Sequence, residues 1–179
     1  MSYGEAYPER CLGFLLRGIY LGTPDEFNQL MYGMKDTIPE YWEEMVEHIP
    51  SSERGDLVKA AHTRLMDPHP KIHMKTARAF IKYHIAAATI APNQIMIDSI
   101  LNDDQLSLGA ARTFIHYAIN DFFFEENQVF KNINKINHLP AYIVHGRHDT
   151  ITRANKAYQL HKSWLDQNYI FLKVLVTQR

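Results

Sequence analysis

The sequence is poor in cysteine, in long apolar runs and in any excess of one charge. A single cysteine, Cys11, among 179 residues excludes an internal disulfide, so packing must hold the fold and a reducing compartment is expected. Lys and Arg number 19 against 20 Asp and Glu, a formal charge of −1 at pH 7. That balance gives no electrostatic case for nucleic acid or an anionic membrane as partner. The longest apolar run, Ile85 to Ala91, is alanine-rich and falls far short of the ~20 residues that span a bilayer. Met1-Ser2-Tyr3-Gly4-Glu5 has neither a basic stretch nor an apolar one, so no signal peptide and a cytoplasmic location are expected. What is present is ordinary: 46% apolar and 22% charged residues, which argues for a folded globular chain against a disordered or collagen-like one.

The order of patterns predicts an α/β fold with an unusual centre. Cys11 to Leu16 is apolar almost without alternation, as in a strand buried on both faces of a parallel sheet. Thr23-Pro24-Asp25-Glu26 reads as a helix start, with Thr23 capping, Pro24 at the first position and Glu26 where a capping-box carboxylate belongs. Further helices are predicted at Pro39–Glu47, Asp56–Leu65, Met74–Thr89, Gln105–Tyr117 and Asn127–Ile133. Beyond Pro140, Ala141 to His145 is a short β-type run closed by Gly146; Ala154–Trp164 reads as a helix and Tyr169–Val176 as a last strand. The outline is strand, roughly six helices, strand, helix, strand. A few parallel-type strands cannot cover both faces of their own sheet, so the helical block reads as an insertion between strands of a larger sheet. The expected division is core residues 1–22, a helical block over 23–139, and core again over 140–179.

The sharpest feature is Val144-His145-Gly146-Arg147-His148-Asp149, which puts an acid just past the C-terminal end of a buried strand. In open α/β sheets active sites collect there. Together with Tyr7-Pro8-Glu9-Arg10, Leu16-Arg17-Gly18-Ile19, Arg54-Gly55-Asp56-Leu57 and Leu160-His161-Lys162-Ser163-Trp164, in this order, it resembles the proline iminopeptidases (prolyl aminopeptidases) of the α/β-hydrolase fold. The resemblance runs from about Tyr7 to Trp164. It implies a partial α/β-hydrolase in which the helical block is a cap over the active site. The implied activity is serine-hydrolase release of N-terminal proline from peptides. Asp149 would be the triad acid, which orients the histidine and stabilises its imidazolium. Read without the resemblance, Asp149 is an acid that caps the following turn or helix.

The same resemblance marks departures. None of Ser2, Ser51, Ser52, Ser99, Ser107 and Ser163 stands in a Gly-x-Ser-x-Gly frame. Ser2 falls in what would be the helix after that elbow. After Asp149 the only histidine is His161, at a structural position of the family pattern. The residues from Phe171 to Arg179 depart from the expected strand and Gly-His loop. Two cap positions where the family binds the substrate amine with carboxylates are matched by His84 and Phe114. The Cys-Pro that follows the acid in the family is matched by Thr152-Arg153. These residues, His84, Phe114 and Thr152, are the candidate substrate-binding positions. The expectation is that the 179 residues alone lack peptidase activity. They would be a truncated or degenerate remnant, a helical interaction module, or a fragment that complements a separate half. Uncovered faces at Cys11–Leu16 and Tyr142–His145 predict association or poor solubility unless a partner covers them.

No metal or other cofactor is expected. His69 and His73 are four apart with His62 nearby, but Pro68 and Pro70 break the helix that would present both rings. Phe122-Phe123-Phe124 reads as cap packing or a pocket wall, and Cys11 as a small buried residue of the first strand.

Overall fold

We describe the protein from a computed structural model, which defines residues 1–89, 91–164 and, for the backbone, 167–172. It is mostly helical with a small parallel sheet. Its contacts separate two compact units, one formed by Met1–Phe27 with Phe124–Arg179 and the other by Asn28–Phe123. Among the described residues no helix is long and apolar enough to cross a membrane.

The first unit holds a three-stranded sheet in the order β1 (Phe14–Arg17), β2 (Ala141–Gly146), β3 (Gln167–Leu172), all parallel. Leu15 pairs with Tyr142 and Leu16 with Ile143. The strands carry α1 (Ser2–Ala6), α8 (Gln128–Asn132) and α9 (Ala154–Ser163) with them. One sheet face carries the core: Ala141 and Ile143 pack with Ile19, Leu21, Ala157, Leu160 and Trp164, all buried. The Trp164 ring meets Phe14 edge-on at 5.2 Å and its indole N–H donates to the Leu139 carbonyl at 2.8 Å. A Cβ on Gly13 would lie 2.7 Å from the Pro140 carbonyl oxygen, so only glycine allows the close approach that lets Phe14 N–H bond Pro140 at 2.9 Å and start the pairing.

The first strand is shorter and later than its apolar run suggests. Cys11 is not in it: its N–H closes the 3₁₀ turn Pro8–Arg10, and its side chain is only half-buried. The strand itself alternates, with Leu15 and Arg17 exposed and Phe14 and Leu16 half-buried. The unbroken apolar run hid that alternation. Of the last predicted strand, residues 173–176 lie outside the described residues, as does the tail to Arg179.

The second unit is helical: the end of α2 (Pro24–Met31), then α3 (Pro39–Glu47), α4 (Leu57–Leu65), α5 (Pro70–Ala87), α6 (Gln94–Leu101) and α7 (Asp104–Ile119). α5 is central and packs on α3, α4, α6 and α7. That is why Ala77, Phe80, Ile81, Tyr83 and Ile85 are buried on several of its sides. Side chains satisfy carbonyls that helix ends leave open. Trp42 donates to Met31 O at 2.9 Å, Tyr83 OH donates to Leu30 O, and Arg112 donates to Leu65 O at 2.9 Å. Asp56, Asn93 and Asp103 accept from backbone N–H groups at the starts of α4, α6 and α7.

Candidate active site

β2 ends at Gly146, and the chain turns so that Asp149 N–H bonds the Gly146 carbonyl at 3.3 Å. Asp149 is 7% exposed. Its carboxylate accepts from Ile151 N–H at 3.1 Å and Thr152 N–H at 2.8 Å through Oδ1, and from the Thr152 hydroxyl at 2.8 Å through Oδ2. Both oxygens are therefore oriented by the loop that follows. The acid caps that turn, whereas α9 begins at Ala154 without a side-chain cap. An oriented, buried carboxylate past a strand end is what a triad acid requires, and here the turn does the orienting.

His145 lies at the end of the same strand and is fully buried. Ile19 N–H points at its Nδ1, 3.3 Å away, and a backbone N–H can only donate. Nδ1 is thus the acceptor, and Nε2 donates to the Thr152 carbonyl at 2.6 Å. The imidazole ties the segment after β1 to the loop that holds Asp149. Sequence reasoning missed this role, although His145 sits inside the motif that identified the acid.

The same loop is fastened a second time. Arg153 and Lys156 each reach Asp25 at 2.9 Å, at the start of α2. Burial pushes the Asp25 carboxyl up, but the Thr23 hydroxyl and the two cations outweigh it, and the group lies below the usual carboxylate range. No sequence signal marks this pair, since 128 residues separate Arg153 from Asp25.

His84 on α5 and Phe114 on α7 lie together in the helical unit, with ring centroids 5.1 Å apart. Phe80 completes the cluster, 5.3 Å from Phe114 and 6.1 Å from His84. His84 Nδ1 is buried and has no hydrogen-bond partner. Burial holds its pKa below the ordinary histidine value, so the ring is neutral at pH 7. Phe114 also lines a cavity of about 710 Å³ with Leu106, Ala110, Thr113, Tyr117 and Phe122. The site residues thus fall in two pairs, Asp149 with Thr152 and His84 with Phe114, one pair in each unit. Among the described residues no group of three His, Cys, Asp or Glu is placed to hold a metal ion.

No family model matches the sequence. Individual relatives do. The chain is 35% identical over 92% of its length to a proline iminopeptidase of Arabidopsis thaliana. It is 33% identical over 91% to a probable proline iminopeptidase of Leptolyngbya boryana, and 30% over 92% to the proline iminopeptidase of Neisseria gonorrhoeae. Nearly the whole chain is thus similar to proline iminopeptidases. It spans about half the length of these relatives: 44%, 51% and 52% of them in turn. Relatedness to proline iminopeptidases covers both units, since nearly the whole chain is matched.

Proposed function

We propose that residues 1–179 are the cap and the acid-bearing part of a proline iminopeptidase-type serine hydrolase of the α/β-hydrolase fold, with Asp149 as triad acid. The helical unit Asn28–Phe123 is the cap and the sheet unit is part of the hydrolase core. The observation that carries the reading is the buried, doubly held carboxylate of Asp149 at a strand end, in a chain related to proline iminopeptidases. Its chemistry would be to orient a histidine and stabilise the imidazolium formed when a serine attacks the scissile carbonyl. Thr152 serves the acid, and His145 holds Thr152. His84 and Phe114 replace charge with aromatic surface where the resemblance puts amine-binding carboxylates, so a substrate ammonium gains less there.

The 179 residues contain no Gly-x-Ser-x-Gly frame, so the polypeptide by itself is not expected to hydrolyse a chromogenic proline amide. A chimera tests the assignment of roles. Residues 7–164 replace the matched stretch of the Neisseria gonorrhoeae relative, whose flanks then supply serine and histidine. Proline amide hydrolysis is expected, with Asp149→Asn lowering kcat about 10⁴-fold at unchanged folding. A chimera that folds and turns over equally well with the Asp149→Asn substitution would sink the role given to Asp149. Adding His84→Glu with Phe114→Glu is expected to lower KM for substrates with a free N-terminal amine and not for acylated ones. Equal change for both kinds of substrate would remove these two positions from amine recognition.

A further inference from the structure

The loop that presents Asp149 runs from the end of β2 at Gly146 to the start of α9 at Ala154. Asp149 orders its middle from within, through the Ile151 and Thr152 amides. Arg153 closes it. This residue sits at φ −67° and ψ 140°, and among the described residues its N–H donates to no backbone carbonyl. A proline ring would impose that φ and lose no hydrogen bond. An arginine there keeps its backbone freedom unless its side chain is anchored.

The anchor is Asp25, in the first turn of α2. Its Oδ1 accepts from the Lys156 ammonium at 2.9 Å, and its Oδ2 from the Arg153 guanidinium at 2.9 Å. The Thr23 hydroxyl donates to Oδ1 at 2.6 Å, so the carboxylate is fixed on its own side as well. The described partners of the guanidinium are both on Asp25, the carboxylate and the backbone carbonyl at 3.4 Å, while its Nε is buried without one. A lone exposed ion pair holds little, but several charges in one network hold more. Lys156 strengthens this network because it is only 8% exposed and has Asp25 as its described counter-charge.

We propose that Asp25 is a positioning residue for the triad acid: through Arg153 and Lys156 it pins the loop in the conformation whose amides hold the Asp149 carboxylate. This rests on the role proposed above for Asp149 and deepens it. The pin is electrostatic where a proline ring would be covalent, so the loop is sensitive to salt. With the Arg153 side chain 33% and that of Asp25 57% exposed, dissolved ions reach and screen the pair.

Hydrogen exchange of the whole 179-residue chain reads the loop directly, because the Ile151 and Thr152 amides both donate to Asp149. Arg153→Ala and Asp25→Asn are each expected to speed exchange at these two amides at least about fivefold, with the amides of β2 unmoved. Salt at about 1 M is expected to do the same to the unaltered chain. Arg153→Pro is expected to keep exchange slow in low and high salt alike. In that background Asp25→Asn with Lys156→Met should leave it slow, since the ring has replaced the pin. In the chimera described above, Arg153→Ala is expected to lower kcat about tenfold at unchanged KM, and Arg153→Pro to recover most of that loss. Loop exchange unmoved by Arg153→Ala and by Asp25→Asn would overturn the proposal, and so would fast exchange in the Arg153→Pro chain. A chimera whose kcat falls with Asp149→Asn but ignores Arg153→Ala would overturn it too. Salt-sensitive loop exchange beside a chimera indifferent to Asp149→Asn would keep the pin and remove the catalytic role of the acid it holds.

Discussion

His84 shows how a single residue can read differently from its neighbours. Its Nδ1 is buried without a partner, between Phe80 and Phe114. Burial depresses its pKa below 6.5 in the folded chain, while the unfolded chain titrates near the ordinary value. Below about pH 6.5 the unfolded state therefore binds a proton that the folded state refuses, and stability falls as pH drops. His48 acts in the same direction, through burial first and then Lys75 and Arg64, with Glu47 opposing. The urea midpoint is expected to decline from pH 7 to about pH 5. His84→Phe should flatten that decline, and His48→Gln should remove more of it. An undiminished slope in the His84→Phe chain would mean that the ring is protonated in the fold.

At the scale of elements, the start of α2 is the clearest case of sequence deciding geometry. Thr23-Pro24-Asp25-Glu26 announces a capped helix, and the fully buried Glu26 carboxylate accepts from Thr23 N–H at 3.0 Å, as the capping-box pattern asks. It does more than the pattern asks, since it also takes Leu21 N–H at 3.2 Å and the Thr23 hydroxyl at 2.6 Å. The hydroxyl donates to carboxylates instead of accepting from the helix, so the cap is rebuilt around one buried carboxyl group. Glu26→Ala leaves those donors without partners and is expected to cost about 2–4 kcal/mol, with Glu26→Gln costing less, both read by urea unfolding. A loss below about 0.5 kcal/mol for the alanine variant would show that water replaces the carboxylate. Helix α6 is the opposite case. Nothing in the periodicity marks it, because Ile95, Met96, Ile97, Ile100 and Leu101 surround the axis and only Ile97 is buried. Asn93 capping Met96 N–H at 3.1 Å is the local signal that was there to be read.

For the whole molecule, what could be read in the sequence was whatever depends on neighbours along the chain. The strand-end acid was visible as a motif; the parallel sheet followed from apolar runs, and most helices from their period. What joins distant segments was not visible. His145 bridging Ile19 and Thr152, Asp25 held by Arg153 and Lys156, and the pairing of His84 with Phe114 all needed the fold. The reading of β1 as buried on both faces belongs to the same class. Its apolar run suits a completed parallel sheet, and the described residues complete one face only. In this chain the run therefore leaves Leu15 bare on the other face. That has a consequence for the chain by itself. Leu12 and Leu15 contribute little to its folding, because both remain in water, yet they should drive association as concentration rises. Leu12→Lys with Leu15→Lys is expected to raise the soluble concentration limit several-fold and to move the urea midpoint by no more than about 0.5 kcal/mol equivalent, measured by light scattering and by unfolding on the same samples. A large fall in the midpoint would mean that these leucines are already packed within the chain, and the bare face would then have to be redrawn.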